Sequence, residues 1–191
     1  MSAKITYGFV FAFVGIALTL IGYLLGLQTD RAGSTLASLF GWLGTILSFF
    51  VLWLGVRAVR DEKPDQCLTF GQGVGAGVVI ALVGAVIGAV YTLIHLSFIN
   101  PDFADHMMVA AQQKWEDAGM SAQQMEVAER MTRVFFHPGI MAGMGFLGQI
   151  FFGTIFSLIV AAIVKRNPPA PNATLPPPPP VPPAMPPPVA Q

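Results

Sequence analysis

Apolar residues run without a charged interruption through four stretches of this chain: Ile5 to Thr29, Ala32 to Val56, Gln66 to Pro101 and Val134 to Val164. Each exceeds the roughly 20 residues that a helix rising ~1.5 Å per residue needs to cross a ~30 Å hydrocarbon core. The pattern predicts four membrane-spanning helices at about 5–27, 35–56, 73–95 and 140–164. Membrane β-strands alternate apolar and polar positions over about ten residues, and these continuous runs do not. The first stretch follows Lys4 near the N-terminus, as a secretory signal would, but it continues to Leu27. That is longer than the roughly 7 to 15 residues of a signal's apolar region, so it is read as an uncleaved first span.

Between spans three and four the period changes. Asn100 is read as a helix N-cap with Pro101 at the first helical position, and Phe103, Met107, Met108, Ala111 and Trp115 then recur on one face. Gly119 fits a C-terminal cap, and Ser121 with Gln124 spells a capping box for a second helix. Met125, Ala128, Met131 and Phe135 form the expected apolar face of that helix. Residues 101–136 are therefore expected to make an extramembrane helical hairpin that lies on the membrane surface or caps the bundle. From 167 onward the character shifts again, with 13 of the 16 prolines in the final segment. Residues 167–191 are expected to be a disordered tail with polyproline II character. The expected fold class is thus all-α: an integral membrane four-helix bundle over residues 1–166, a helical hairpin between spans three and four, and the tail.

Composition agrees with a lipid environment. Only 10% of the 191 residues are charged and 54% are hydrophobic, against about 25% charged in soluble domains. Ten Lys and Arg balance ten Asp and Glu, which excludes a basic nucleic-acid binder, and a single Cys cannot staple a secreted domain. The positions of the charges say more than their number. If the spans alternate, Lys4, Arg57, Arg60, Lys63, Lys165 and Arg166 share one side, while Arg31, Lys114, Arg130 and Arg133 fall on the other. The denser set close to the membrane favours both termini on the cytoplasmic side of an inner membrane, with the inverted topology as the alternative.

Small residues recur at helical spacing in every span. Gly8, Ala12, Gly15, Gly22 and Gly26 stripe the first, and Ala37, Gly41, Gly44, Ser48 and Gly55 the second. Gly73, Gly77, Ala81, Gly84 and Gly88 stripe the third; Gly139, Gly143, Gln149, Gly153, Ser157 and Ala161 mark the fourth. Lipid offers helices no hydrophobic reward for meeting, so close approach of backbones through small residues supplies much of the attraction. The stripes are expected to be the seams of one bundle, with a dimer or partner-helix contact through span three as the alternative. Gln149 lies well inside a span, and its amide is expected to hydrogen-bond to a neighbouring helix.

Candidate chemistry is sparse. Seven of the nine methionines fall between Met107 and Met144, near His95, His106 and His137. Thioether and imidazole ligands suit Cu(I), so His106, Met107, Met108 and His137 are copper candidates by softness. Their spacing forms no tight cluster, and the reading adopted is no metal and no cofactor. No nucleophile, base and orienting group come together around Cys67 in the sequence, which argues against a catalytic thiol, and the expectation is that the chain is not an enzyme.

The chain from about Ile5 to Arg166 resembles a family of small bacterial membrane proteins catalogued as domain of unknown function 4199. The resemblance is carried by Tyr7 and Gly8, by Thr69, Phe70, Gly71 and Gln72 ahead of a small-residue span, and by Tyr91. Asn100 to Phe103 and Ser157 to Ile163, leading into Lys165 and Arg166, complete it. It implies four helices with a helical segment between the last two, and no mechanism. Phe70, Gly71 and Gln72 are singled out as a family-like motif, in which Gly71 is expected to permit close packing and Gln72 to cap or bridge backbone. The function expected is that of a structural or accessory membrane component. Its partners are membrane lipid and, in addition, a second copy or another membrane protein. A small transporter of a neutral or lipid-like substrate, acting as an oligomer, is the rival; the lack of Asp, Glu, Lys and Arg inside the spans weighs against ion transport.

Overall fold

The computed structural model describes residues 2–167. All but the first residue of the segment read as a proline-rich tail lies outside them. The chain forms α1 (Ala3–Leu24), α2 (Thr35–Asp61), α3 (Phe70–Ile94, continued by one π-helical turn, His95–Ile99), α4 (Phe103–Asp117), α5 (Ala122–Phe135) and α6 (Pro138–Val164). Four of these, with α3 counted through its π turn, are long and apolar enough to cross a membrane. They mark the chain as a membrane protein. Among the described residues the only β-pairing is an isolated bridge between Leu68 and Arg166.

Helix α3 is the axis of the bundle and packs most extensively on α6, then on α1. The α3–α6 seam is an antiparallel zipper with a four-residue step. A Cβ added to Gly73 would meet Ala161, one on Gly77 would meet Ser157, and one on Gly153 would meet Ala81. Each small residue thus admits its counterpart, which brings the two backbones together where lipid could not be squeezed between them. On its other side α3 receives α1: Gly8 lies against Val83, and Phe11 sits in the notch left by Gly84. The stripe Gly73, Gly77, Ala81, Gly84 and Gly88 is therefore used inside the molecule, against α6 and α1.

The core is concentrated at one end. Leu52, Val56, Ile80 and Val160 are fully buried there, joined by Leu68, Val59 and Val164. Backbone ties finish that end: Leu68 and Arg166 exchange two N–H···O bonds of 2.9 Å, and the Ala3 N–H donates to Glu62 Oε1 at 2.9 Å. The chain entering α1, leaving α2, entering α3 and leaving α6 is thus gathered at a single charged end, as an alternating topology requires.

Towards the hairpin end the packing opens. Gly15 and Gly41 meet nothing, and Gly44 makes only ordinary contact with Leu18. The expected seam along α2 is tight at Gly55, which presses on Tyr7 and Ile80, looser at Gly44 and absent at Gly41. Leu36, Leu39, Trp42, Leu43 and Ile46 in the first half of α2 are all exposed, whereas Val51, Leu52, Val56 and Val59 in the second half are buried. Helix α2 is buried through its second half, while its first half leans only on α1, through Phe40 beside Gly22 and Gly44 beside Leu18.

One other expectation, at Asn100, needs correction. Asn100 does not cap α4; the π turn carries α3 through Ile99, the Asn100 N–H donates to the His95 carbonyl at 2.7 Å, and α4 starts at Phe103 behind Asp102. In α5 the partly covered positions include Met125, Ala128, Thr132 and, just past its end, Phe136, while Met131 and Phe135 are exposed. The hairpin itself is built as the capping signals imply, with Gly119 at φ +72° closing α4 and a reciprocal Ser121–Gln124 capping box opening α5.

Candidate functional site

The most organised polar group in the bundle begins with a turn. Helix α1 ends in a Schellman arrangement: the Gly26 N–H donates to the Tyr23 carbonyl and the Leu27 N–H to the Gly22 carbonyl, both at 2.9 Å, with Gly26 at φ +73°. A left-handed residue is required there, and glycine takes it without steric cost. The reversal buries Leu27 and turns Gln28 back against the helices.

Gln28 then meets His95. The Gln28 Nε2 donates to the Thr19 carbonyl at 2.9 Å, which fixes the amide so that its Oε1 faces His95 Nε2, also at 2.9 Å. An amide oxygen only accepts, so Nε2 carries the proton. His95 Nδ1, 3.1 Å from Tyr91 Oη, is then the acceptor of the Tyr91 hydroxyl in the neutral ring. The result is one directed chain from Tyr91 through His95 and Gln28 to the backbone of α1. Tyr23 closes the ring edge-on, with centroids 5.6 Å apart, and His95 is 2% exposed. A buried imidazole with both nitrogens engaged costs little to hold. It fastens the α1–α2 turn onto the π turn that ends α3.

Beside this chain lie two adjoining hollows. One, about 180 Å³, sits between α1, α3 and α6 with Ser48 of α2 at its edge, and is lined by Thr19, Tyr91, Thr92 and Gln149 among Phe11, Phe146 and small residues. The other, about 380 Å³, lies between α2 and α6, where α2 stands away from the bundle, and is lined by Phe11, Trp42, Leu52, Phe152 and Phe156. Phe11, Ser48 and Gln149 border both. No Asp, Glu, Lys or Arg lines either hollow. The first is a chamber of mixed lining with several polar groups, the second an apolar slot, and they share a wall.

Gln149 stands at that wall. Its amide occupies the notch of the α3 glycines: Nε2 is 3.0 Å from where a Gly84 Cβ would stand, and Oε1 is 3.5 Å from that of Gly88. The expected hydrogen bond to a neighbouring helix is not formed, since no residue among those described bonds the amide. The helix–helix contact is steric, and the amide's donors and acceptor are left towards the chamber.

The family-like motif is spread over different tasks. Thr69 caps α3, accepting from the Gln72 N–H, while Gln72 Oε1 accepts from the Thr69 N–H and from Lys63 Nζ at 2.6 Å. Gly71 meets nothing and Phe70 is exposed, so the expected close packing at Gly71 is absent. In the hairpin, His137 Nδ1 accepts from the Gly139 N–H and so caps α6, Met108 is buried, and His106 and Met107 are half-buried. Among the described residues no three His, Cys, Asp or Glu side chains come together to hold a metal ion. Cys67 is buried.

Sequence reasoning missed Gln28 and passed over His95 except as a neighbour of the methionines. Gln28 follows a span in the run Gln28, Thr29, Asp30, Arg31, which reads as loop. The one available signal was Gly26, whose place just past the end of an apolar helix is that of a residue reversing the chain.

Comparison with known proteins adds a family and no activity. A family described as "Protein of unknown function (DUF4199)" matches residues 6–166. Neither the curated proteins nor the solved structures contain a match to this chain.

Proposed function

The chain belongs to the DUF4199 family, and from its geometry we propose that it is a structural or accessory component of an inner membrane, not an enzyme. Both termini lie on the cytoplasmic side in this reading, and the hairpin lies outside. The observation that carries it is the division of labour along the bundle. The small-residue faces of α3 are consumed by α1 and α6, whereas the first half of α2 presents Leu36, Leu39, Trp42, Leu43 and Ile46 outward. A packed frame with one half-helix turned outward suits a protein that other membrane molecules lean on, whether another membrane protein or a second copy.

In-membrane crosslinking from Leu39 and Ile46 positions, followed by identification of what is captured, tests this. One stoichiometric protein partner captured through α2 supports it. Solute flux through the purified protein in vesicles, with no partner captured, refutes it. A second reading, transport of a neutral or lipid-like substrate by an oligomer, is favoured by the uncharged chamber and slot, and flux is its measurement.

A further inference from the structure

We propose that the chamber and slot together form a binding site for a neutral single-chain amphiphile, its hydroxyl or carboxamide head against Gln149 and its hydrocarbon chain between α2 and α6. The inference rests on the membrane placement above and not on the accessory role.

The head is specified by what the chamber offers. Gln149 brings two N–H donors and an acceptor oxygen with no protein partner among the described residues. Tyr91 Oη donates its hydrogen bond to His95 Nδ1 and keeps acceptor capacity where it lines the chamber; Thr19 Oγ1 donates to the Gly15 carbonyl at 2.9 Å and likewise keeps acceptor capacity. A ligand that both donates and accepts satisfies this set. Amide groups left unmatched in an apolar surrounding cost free energy. Because no charged side chain lines either hollow, an anionic or cationic head would be buried without a counter-charge, and such heads are rejected.

The tail is specified by the slot. Its walls are aromatic and aliphatic, and its outer rim includes Trp42 and Phe152, 68% and 57% exposed. These faces look towards lipid, so a chain can enter sideways from the bilayer without crossing a polar barrier. The slot lies where the first half of α2 leans on α1 and stands off α6. Its volume of about 380 Å³ falls in the range of small-molecule sites, ~300–1,000 Å³.

The test uses the full chain in phosphatidylcholine vesicles with three probes that carry a diazirine at the same point of the same acyl chain. The probes are a monoacylglycerol, a phosphatidylglycerol and the headless alkane. The expected result is saturable labelling of α2 and α6 near Trp42, Phe152 and Phe156 by the monoacylglycerol alone. Q149L lowers that labelling roughly tenfold, the loss of one or two buried hydrogen bonds. Equal labelling by all three probes, meaning annular lipid only, overturns the proposal, as does labelling unchanged in Q149L. Should Q149L fail to fold, G148F answers the question: a Cβ at Gly148 meets nothing, so the ring fills the slot and leaves the α3 seam intact. Labelling that persists in G148F overturns the proposal. Carbonate extraction of the same vesicles reports the membrane placement separately, so failure of that premise is not mistaken for failure of the site.

Discussion

A single glycine can be indispensable or idle in this bundle, and its neighbours decide which. At Gly77 an added Cβ would collide with Ser157 across the α3–α6 seam, whereas at Gly75, one turn-face away, it meets nothing. Gly77→Val is therefore expected to destabilise the protein by about 1–3 kcal/mol, the cost of overpacking, and Gly75→Ala, inside the same helix with open space around it, to raise its thermal stability in detergent by up to about 1 kcal/mol. The polar residues follow similar logic. Gln28→Ala leaves the His95 Nε2–H without its acceptor in a buried place, a loss of about 1–3 kcal/mol. The His95→Ala and Gln28→Ala double mutant should cost less than the two single changes added together, and a thermodynamic cycle measures the difference. The glycine stripes were legible from spacing because packing in lipid needs small residues at helical intervals. The His95–Gln28 pair was not, because its members lie 67 residues apart and meet only after Gly26 reverses the chain.

Elements here are begun and ended by local chemistry, and some of those signals lie in plain view. The Ser121–Gln124 capping box reads directly from the sequence, since both partners sit within one turn. Asn100 and Pro101 imitate the same kind of start, yet the π turn takes up Asn100 and delays α4 to Phe103. A π turn widens the helix by one residue without a sequence signature as plain as a cap. The Gly26 turn offers a test at this scale. Gly26→Ala places a side chain at φ +73°, costing about 1–2 kcal/mol, and should raise amide hydrogen exchange through 25–34 while leaving the charged end protected. Helix α5 offers another. It carries Val127, Met131, Val134 and Phe135 exposed on one side and Arg130 paired with Glu126 on another. A hairpin lying in the membrane interface buries the first set and wets the second. A polarity-sensitive dye on Met131→Cys should report an apolar setting in vesicles, and the same dye on Arg130→Cys a watery one.

The whole molecule is closed at one end and open at the other, an asymmetry that the charge pattern did not reveal. Six basic residues at the closed end predict a cytoplasmic placement. Cys67 is too buried to report on it. In a Cys67→Ser background, exposed Pro64→Cys should stay unlabelled by an impermeant maleimide in intact cells, and exposed Gln123→Cys in the hairpin should label. The reverse result would invert the topology. The central place of α3 also bears on how the protein is made. Its longest seam is completed by α6, the last helix of the bundle, so the face from Gly73 to Gly88 waits for Val164 to emerge. At roughly 5–20 residues per second the interval is about 4–15 s. Throughout it, the nascent chain carries its most association-prone helix half-dressed in the membrane. Messages truncated before α6 should therefore yield fragments that insertion factors retain or membrane proteases remove, and synthesis itself becomes the step at which this bundle is most exposed to error.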